Sequence, residues 1–444
     1  MATKRTPSFD SHNPATGEVA GTYPIMNAKQ VSEIVAHART ASAQWQKLGF
    51  SARKKVLLSW SNVIINRIDQ IAALISLETG KPVGDAKLEV SIAVGHIGWA
   101  ARHAEEIMRT SYRAPGLLLS NMSATVQRSP LGVVGVIGPW NYPMFTPVGS
   151  ITYALAAGNT VVFKPSEYTP GVGMWLEETF NEVAPFADVL TTITGLGETG
   201  GALCTSGVDK ISFTGSTRTA KIVAAQCATT MTPVVLECGG KDPVIVAVDA
   251  NLERAVDATI WSAMANAGQS CIGAERVYVD ERVADKFVEL AVQLAKTIHA
   301  GAPGDGNYGP ATMPSQIKVI QSHIKSAIKD GGRCAYGGPE SVKPPFVQPV
   351  ILLDVPEDSA AMREETFGPT IIINRVKSMR EAIDLSNASS YGLGANVWSK
   401  RQGKKIAAEL ACGMVAINST FSFAAVASVP FGGVKDSGYG RVHG

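Results

Sequence analysis

Hydrophobic and polar positions alternate at helical spacing through residues 29–109. The stretches VSEIVAHARTASAQW and RKKVLLSWSNVIINRIDQIAALISLE show this most plainly, because apolar residues recur there every three or four positions. Such periodicity is typical of amphipathic helices that bury one face and expose the other. We therefore predict that the chain opens with an outer layer of helices.

From residue 131 the pattern changes to short, nearly continuous apolar runs separated by helical stretches. These runs are GVVGVI, NTVVFK, VLTTIT, KISFTG, PVVLE and PVIVAV. Strands that are apolar on both faces are typical of a parallel sheet covered by helices. The alternation resumes with predicted helices over 251–265, 281–299 and 315–330 and predicted strands at ERVYV, PVILL and PTIIINRV. The pattern predicts the α/β class and two domains that meet near residue 240.

Three stretches contain no Asp, Glu, Lys or Arg: residues 129–163, 258–274 and 410–434. The first exceeds the roughly 20 residues that a membrane-spanning helix needs. Four prolines interrupt it, however, so a buried strand, turn and helix is the better interpretation. Each stretch also contains isolated polar residues, namely Asn141, Cys271 and Asn418. A dry pocket with a few polar groups is the usual composition of a ligand site, although ordinary core is the alternative.

Composition and charge narrow the choice of partner. Among 444 residues, 40 basic side chains against 38 acidic ones give a net charge of +2, which provides no electrostatic case for nucleic acid or an anionic membrane. The six cysteines form no CxxC pair and no zinc-ligand spacing, so we expect neither a disulfide framework nor a metal site. The polar N-terminus lacks the apolar core of a signal peptide. We expect a small-molecule partner and a cytoplasmic location.

Two glycine-containing turns are candidate phosphate sites. GLGETG at 195–200 matches GxGxxG, but the acidic residue expected about 20 positions later is absent, so a turn that needs glycine explains it equally well. In KISFTGSTRTA, a strand enters a turn at Gly215 and Ser216 and continues into a helix, whose free N–H groups attract phosphate. A plain helix cap is the alternative there.

Lys164 and Glu167 lie just beyond the predicted strand of NTVVFKPSE, at the edge where open α/β sheets bind ligands. A lysine donates to, and a carboxylate accepts from, the vicinal hydroxyls of a ribose. The carboxylate would also repel a 2′-phosphate, which favours NAD over NADP. A solvated loop is the alternative interpretation.

Glu237 and Cys271 are the strongest candidates for catalytic residues. Glu237 ends the apolar run of VVLECGGKDP and precedes two glycines that let other groups approach, so burial would suit it to act as a base. Cys271 lies in an uncharged stretch, where a cysteine is more often inert core than nucleophile. Cys238, next to Glu237, is a second thiol near the same position.

Seven motifs together resemble those of the NAD(P)-dependent aldehyde dehydrogenase superfamily. PWNYP, FKPSE, FTGST, LECGGK, GQSC, EETFGP and PFGGVKDSGYGR occur in the family's order and approximate spacing, over residues 13–444. The resemblance implies two Rossmann-like parallel-sheet domains, for cofactor and catalysis, plus a small β oligomerisation arm. The implied cofactor domain is 1–110 and 131–240, the catalytic domain 241–444 and the arm 111–130. A homodimer is expected, without the arm strand that relatives form beyond this point.

The resemblance assigns chemistry to three residues. It implies that Cys271 attacks the aldehyde carbon as a thiolate, because a thiolate is nucleophilic and leaves well from a thioester. Asn141 and the Cys271 N–H would hold the oxyanion. Glu237 matches the general base that hydrolyses the thioester, so the product would be a free carboxylic acid.

Further positions follow from the same resemblance. The implied cofactor-binding residues are Trp140, Lys164, Glu167, Gly215, Ser216, Glu365 and Phe367, and the cofactor is NAD or NADP. The implied substrate-pocket residues are Phe145, Gly149, Ser270, Ile272, Phe421 and Phe423. Gly149 stands where many relatives have a bulky side chain, so we expect a roomy, apolar pocket for medium or aromatic aldehydes.

Two departures from the family leave the chemistry intact: Cys238 replaces a usual leucine, and Ala220 a common glycine. Two alternatives stay open from the residues alone. One is a relative that binds NAD without turnover. The other is a cysteine hydrolase, which would need one of the seven histidines beside Cys271 in space.

Overall fold

The computed structural model describes residues 7–443. Residues 1–6, part of the polar N-terminus discussed above, and Gly444 lie outside the described residues.

The described chain opens with a β-hairpin, not with a helix. β1 (Ser8–His12) pairs antiparallel with β2 (Val19–Pro24), and the Gly17 N–H donates to the Asn13 carbonyl (2.8 Å) to close the turn. Gly17 has φ +78°, which glycine adopts without steric cost. Both strands are largely exposed, so they lack the apolar runs from which the other strands were predicted.

Four helices then confirm the predicted outer layer: α1 (Ala28–Lys47), α2 (Gly49–Asn66), α3 (Ile68–Thr79) and α4 (Val83–Met108). Asn27 begins α1 with a capping box, because its side chain and that of Gln30 each accept from the other's backbone N–H. Trp45 and Trp60 are fully buried, and the Trp60 ring packs edge-on to Phe180 with centroids 5.3 Å apart. The apolar stripe of these helices thus packs against the rest of this domain.

A small hairpin separates the helices from the first sheet. β3 (Ser111–Arg113) and β4 (Ala124–Val126) pair antiparallel, within the segment predicted to be an arm. Leu117 and Leu118, between the strands, are 91% and 97% exposed. A two-stranded ribbon with exposed leucines is marginal by itself and gains stability from a partner.

The first sheet contains every strand predicted between 131 and 240. Its elements are β5 (Val133–Ile137), α5 (Phe145–Ala157), β6 (Thr160–Lys164), α6 (Pro170–Asn181), β7 (Leu190–Thr192), α7 (Gly197–Cys204), β8 (Lys210–Thr214), α8 (Thr217–Ala228) and β9 (Val234–Glu237). The parallel order is β9-β8-β5-β6-β7. The uncharged stretch 129–163 divides into strand, turn, helix and strand. Within residues 7–443, no helix is long and apolar enough to span a membrane.

The second sheet begins at residue 243, close to the predicted boundary. Its elements are β10 (Pro243–Val246), α9 (Leu252–Met264), β11 (Arg276–Asp280), α10 (Glu281–Ala295), α11 (Pro314–Lys329), β12 (Arg333–Tyr336), β13 (Val342–Lys343), β14 (Phe346–Val347), β15 (Val350–Leu353), α12 (Ala360–Arg363), β16 (Thr370–Val376), α13 (Met379–Asn387), β17 (Gly394–Trp398), α14 (Gly403–Ala408) and β18 (Met414–Ile417). The order is β12-β15-β16-β11-β10-β17-β18, parallel except for β12. β13 and β14 form a separate hairpin.

The last described segment returns to the first sheet. After α15 (Ser422–Ala425), β19 (Gly438–Tyr439) pairs antiparallel with β9, with Gly438 opposite Glu237. The predicted catalytic domain assigned all of 241–444 to the second unit, but these two residues extend the sheet of the first. The α/β class with two Rossmann-like parallel sheets is confirmed.

The first sheet has a topological switch point between β5 and β8. From β5 the chain proceeds through β6 and β7 to one side, then crosses back to β8 and β9 on the other. Open α/β sheets bind ligands at the carboxyl ends of strands that flank such a point. Trp140 and Asn141 follow β5, Gly215 and Ser216 follow β8, and Glu237 ends β9.

Candidate active site

The three uncharged stretches converge on one cavity of about 380 Å³. Each contributes side chains to its wall: the first Phe145 and Gly149, the second Ser270 and Cys271, and the third Phe421. Glu237 reaches the same cavity from the end of β9. The structure therefore places the predicted nucleophile and the predicted base in one largely apolar chamber.

A tight turn presents Cys271. The preceding Asn266, Ala267 and Gly268 all have positive φ, at +53°, +58° and +69°. A side chain at Gly268 would collide with the Gly368 carbonyl, so only glycine fits this contact. Non-glycine residues in the left-handed region are uncommon, and such strain clusters at functional sites. This turn brings the backbone that precedes Cys271 into close contact with Gly368, in the loop that contains EETFGP.

The electrostatic surroundings of Cys271 are acidic. Burial raises the pKa of its thiol, and the neighbouring carboxyl groups of Glu365, Asp242 and Glu237 raise it further. The thiol is therefore protonated at neutral pH in this arrangement, and nucleophilic attack requires a group that removes the proton.

Glu237 is a buried carboxyl group without a polar partner. Its backbone is fixed at the end of β9, where its carbonyl accepts from the Gly215 N–H (3.0 Å). Neither carboxyl oxygen has a hydrogen-bond partner among the described residues. Burial raises the pKa of Glu237 to about 9, against which the positive charge of Arg441 acts only in part. A carboxyl group of this kind can accept and release a proton near neutral to alkaline pH.

Asn141 is held against the nucleophile's own segment. Its Nδ2 donates to the carbonyl of Gln269, two residues before Cys271, over 2.9 Å. Its backbone carbonyl accepts from Asn266 Nδ2 (3.0 Å). Asn141 is buried and, unlike its neighbour Tyr142, is not one of the residues that line the cavity. An amide nitrogen carries two hydrogens, so a second N–H remains for another acceptor.

Lys81 and Glu89 are two charged residues of this region that the sequence analysis did not select. Lys81 Nζ donates to Glu89 Oε2 (2.7 Å) and to the Asn141 carbonyl (2.8 Å). Glu89 Oε1 accepts from the N–H groups of Met144 (2.9 Å) and Phe145 (3.1 Å) at the start of α5. The pair thus holds the loop between β5 and α5 at Asn141 and at the junction with α5. Lys81 precedes α4 and Glu89 lies within it, eight residues further on, which is not a spacing that predicts an ion pair, so only the fold reveals the role.

Two predicted cofactor residues lie at the end of β6. Lys164 is buried, its Nζ donates to the Pro165 carbonyl (2.9 Å), and burial lowers its pKa, an effect that Glu167 opposes. A Cβ at Gly200 would lie 3.5 Å from the Lys164 side chain, so GLGETG packs against this lysine. Gly195 has φ +149°, in keeping with the interpretation of that motif as a turn that needs glycine.

The turn after β8 has the geometry of a helix N-terminus. Ser216 is the N-cap of α8, and its Oγ accepts from the Thr219 N–H (3.3 Å). Gly215 precedes it, at the carboxyl end of the strand next to β5. Both positions lie at the carboxyl edge of the first sheet, where Glu237 is the last residue of the neighbouring strand β9.

The remaining predicted cofactor residues form one wall. The Trp140 and Phe367 rings pack edge to face, with centroids 5.6 Å apart. Glu365 Oε1 accepts from the Gly240 N–H (3.0 Å), and a side chain at Gly239 would collide with the same carboxylate. Burial, and next the charge of Glu275, raise the pKa of Glu365 to about 8.

A second buried ion pair supports this wall and was also absent from the sequence analysis. Lys241 Nζ donates to Glu275, and the Glu275 carboxylate accepts from the N–H groups of Thr366 (2.9 Å) and Phe367 (3.0 Å). These bonds determine where Phe367 and its neighbour Glu365 lie.

Together these groups fit a dinucleotide. A helix N-terminus suits a pyrophosphate, an ammonium and a carboxylate at the end of β6 suit ribose hydroxyls, and the two aromatic rings of Trp140 and Phe367 offer an apolar surface. Within residues 7–443, no cluster of three or more His, Cys, Asp or Glu side chains is placed to hold a metal ion. All six cysteines are free thiols.

Five of the six predicted substrate-pocket residues line the cavity: Phe145, Gly149, Ser270, Ile272 and Phe421. Phe423 does not. It is buried in the apolar cluster that includes Ile272 and Leu393, because α15 directs it away from the cavity while Ala424 and Ala425 face the cavity. The mouth contains aromatic groups, since Trp261 is 47% exposed and packs edge-on to Phe421 with ring centroids 5.0 Å apart.

Positive charge is scarce in this chamber. None of the described residues that line it is an arginine. Lys81 is paired with Glu89, and burial lowers the pKa of His443, the other basic residue of the wall, to about 4. Asp85 and Glu237 add carboxyl groups. An anionic group on a substrate would therefore find no free cation among these side chains.

Comparison with known proteins gives one consistent family. The model of the aldehyde dehydrogenase family matches residues 1–444. The chain is 37% identical over 435 residues to the glutarate-semialdehyde dehydrogenase of Pseudomonas putida, a match that covers 97% of this chain and 89% of that protein. It is 33% identical over 436 residues to the 4,4'-diapolycopene aldehyde oxidase of Methylomonas sp, with coverage of 97% and 82%.

The fold agrees with this family in three dimensions. The crystal structure of NADP-dependent glyceraldehyde-3-phosphate dehydrogenase from Bacillus halodurans, in complex with NADP, superposes with a TM-score of 0.92 at 31% identity. The superposition covers 98% of this chain and 92% of that one. The similarity therefore extends over both sheets.

Proposed function

The chain belongs to the aldehyde dehydrogenase family, and from this premise we propose that Cys271, Glu237 and Asn141 carry its chemistry. The protein is an oxidoreductase that converts an aldehyde to the carboxylic acid with NAD(P)⁺. The observation that carries the residue assignment is the cavity that both Cys271 and the unpartnered carboxyl group of Glu237 line.

Acylation begins when the Cys271 thiol loses its proton and its sulfur bonds to the aldehyde carbon. The carbonyl oxygen becomes an oxyanion, which accepts hydrogen bonds from the Cys271 N–H and from the remaining N–H of Asn141. Because burial and the surrounding carboxyl groups raise the thiol's pKa, the sulfur's proton needs an acceptor, and we assign this role to the deprotonated Glu237. Bound NAD(P)⁺ supplies the hydride acceptor that turns the adduct into a thioester.

Hydrolysis uses Glu237 again. The carboxylate takes a proton from water as the water oxygen attacks the thioester carbon, and the C–S bond breaks to release the acid and the thiolate. The raised pKa of Glu237, about 9, makes it a stronger base than an ordinary carboxylate. The apolar chamber excludes other nucleophiles from the thioester in the meantime.

We propose that the cofactor lies along the carboxyl edge of the first sheet. Gly215 and Ser216 would bind its pyrophosphate, and Lys164 and Glu167 a ribose. Glu365 would hold the nicotinamide ribose, and Trp140 and Phe367 would flank it. The Glu167 carboxylate favours NAD over NADP, because it would lie close to a 2′-phosphate.

We propose an uncharged, largely apolar aldehyde as substrate. Two observations support this substrate class. The described residues that line the cavity include no free cation, and Trp261 and Phe421 form an apolar mouth to it. The similar proteins differ on this point, since one is named for a dicarboxylic semialdehyde and another for a carotenoid aldehyde. In this chain the lack of a free positive charge along the cavity favours an uncharged, apolar aldehyde.

The primary test compares the native chain with Cys271→Ser, using NAD⁺ with benzaldehyde and with hexanal. NADH absorbance and the acid product are measured together. We expect both in the native chain and neither in the variant. Cys334→Ser, a half-buried thiol on β12, is the matched control and should retain native rates.

The outcomes test the nucleophile, the turnover and the substrate class separately. Oxidation retained in Cys271→Ser would contradict the assignment of the nucleophile. NAD binding without turnover in the native chain would favour a non-catalytic relative. Glutarate semialdehyde as a substrate with more than about tenfold higher kcat/KM than hexanal would contradict the apolar class.

We also propose a homodimer and a cytosolic location. The exposed leucines of the β3–β4 hairpin support the first, and six free thiols support the second. Light scattering on the native chain and on Leu118→Lys tests the dimer. A native monomer at micromolar concentration would contradict it.

A further inference from the structure

Gly149 leaves a gap in the cavity wall that a distant part of the chain fills. It lies on α5, and a Cβ built there meets one neighbour within 4 Å, the Cδ2 of His443 at 4.0 Å. Both residues line the cavity. The space that a side chain at position 149 would occupy is therefore bounded by the His443 imidazole.

Several contacts hold the His443 ring in place. Its Nδ1 donates to the Val429 carbonyl over 2.8 Å. The rings of His96 and Phe431 pack against it, with centroids 4.5 Å and 5.7 Å away. The adjacent Val442 forms two backbone hydrogen bonds of 2.9 Å with Phe431. The imidazole is thus part of a built wall and not a loose side chain.

The ring presents little charge to a substrate. Burial, and next the proximity of His96, lower the pKa of His443, so the imidazole is neutral in the pH range in which the thiol reacts. His96 has both nitrogens engaged, with Tyr153 Oη (3.2 Å) and the Ala424 carbonyl (3.1 Å). His443 therefore contributes mainly volume and shape to the cavity wall.

We propose that His443 is a specificity-determining residue, whose imidazole fills the space beside Gly149 and limits how far the end of the aldehyde opposite the reacting carbonyl can extend. This inference rests on the proposed aldehyde oxidation in the same cavity. The preferred substrate is an uncharged aldehyde whose distal end contacts the His443 ring and the bare backbone of Gly149.

The test compares two aldehydes that share a reacting centre and differ at the distal end, benzaldehyde and 4-isopropylbenzaldehyde. The readout is the ratio of their kcat/KM values, bulky over slim, measured with NAD⁺. His443→Ala opens the wall and should raise the ratio roughly tenfold, the usual effect of a few carbon atoms in an apolar pocket. His443→Phe keeps a ring of similar size and should leave the ratio within about twofold of the native value.

Gly149→Leu supplies the opposite change. The new side chain points into the space bounded by His443, so the ratio should fall by roughly tenfold. In the double variant with His443→Ala the leucine has room, and the ratio should return towards the native value. Such non-additivity indicates that the two positions share one space.

His103→Ala is the control, because His103 stacks on Trp99 on α4 and does not line the cavity. It should leave the ratio unchanged. Thermal melts show whether each variant is folded, and if His443→Ala does not fold, the Gly149→Leu ratio decides alone.

An unchanged ratio in a folded, active His443→Ala or Gly149→Leu variant would overturn the inference while leaving the proposed function intact. If the native chain did not oxidise aldehydes, the proposed function itself would be contradicted. The two failures are therefore distinguishable.

Discussion

Lys81 and Glu89 form an almost completely buried ion pair beside the candidate oxyanion site, with side chains 1% and 0% exposed and 2.7 Å between Nζ and Oε2. The same ammonium donates to the Asn141 carbonyl, and the same carboxylate accepts from two N–H groups at the start of α5. Because these partners lie at Asn141 and at the junction of its loop with α5, the pair positions the amide that we assign to the oxyanion.

Lys81→Met should therefore impair catalysis more than substrate binding. Loss of the ammonium frees the Asn141 loop and leaves Glu89 buried without its counter-ion, so kcat should fall about 100-fold with KM nearly unchanged, and Tm should fall as well. Steady-state kinetics and thermal melts check this. Lys87→Met removes an exposed pair between Lys87 of α4 and Asp69 of α3 and should alter neither quantity. A folded Lys81→Met protein with native kcat would show that the pair does not position Asn141.

The rate of thioester hydrolysis should rise with pH. Only the deprotonated form of Glu237 can act as a base, and with a pKa of about 9 that form increases about tenfold per pH unit below this value. The charged and titratable groups that face Glu237 are Arg441 and the thiols of Cys238 and Cys271. We expect kcat to increase from pH 6 to about 9 and then level off.

Glu237→Gln tests both roles of this carboxyl group. Because no carboxylate accepts the sulfur's proton or activates water, the first equivalent of NADH should form more slowly than in the native chain, and kcat should be at least about 100-fold lower and without the alkaline rise. Rapid mixing measures the first equivalent of NADH, which depends on removal of the thiol's proton, whereas the steady state also depends on hydrolysis. An alkaline rise in kcat that persists in Glu237→Gln would assign it to another group.

The same variant should be more stable than the native protein at alkaline pH. The folded-state pKa of Glu237 lies above its ordinary value, so the stability of the native chain is full below pH 4.5 and decreases as pH rises through about 9. An amide does not titrate, so the gain in Tm of Glu237→Gln should grow between pH 5 and 9. Melts in that range test it, and a gain independent of pH would contradict the unpartnered state of this carboxyl group.

Glu167→Gln should weaken the preference for NAD. The amide no longer repels a 2′-phosphate, so the ratio of kcat/KM for NADP⁺ over NAD⁺ should rise by about tenfold. Glu182→Gln, which removes a surface pair with Arg67, should leave the ratio unchanged. If native and Glu167→Gln proteins use NADP⁺ equally well relative to NAD⁺, Glu167 does not select the cofactor.

Most strands of the two sheets were predictable because each is a largely apolar run that is buried on both faces. β12 and β17, which contain Arg333 and Asn396, and the four-residue β18 were not predicted. The hairpin of β1 and β2 was not, since its strands are largely exposed and carry no such run. The return of β19 to the first sheet was also hidden. Two residues paired with β9 leave no periodic pattern, and their partner lies about two hundred residues earlier in the chain.

The sequence by itself determined the α/β class and the two parallel sheets and predicted Cys271 and Glu237 as the reactive pair, because strand burial and a set of ordered motifs are local properties of the chain. Only the tertiary structure decided that three uncharged stretches share one cavity, that Lys81 and Glu89 hold the Asn141 loop, and that His443 fills the space beside Gly149. These relationships join residues that are far apart in the chain. Their energies come from burial and from hydrogen-bond partners, which exist only once the sheets and helices have packed.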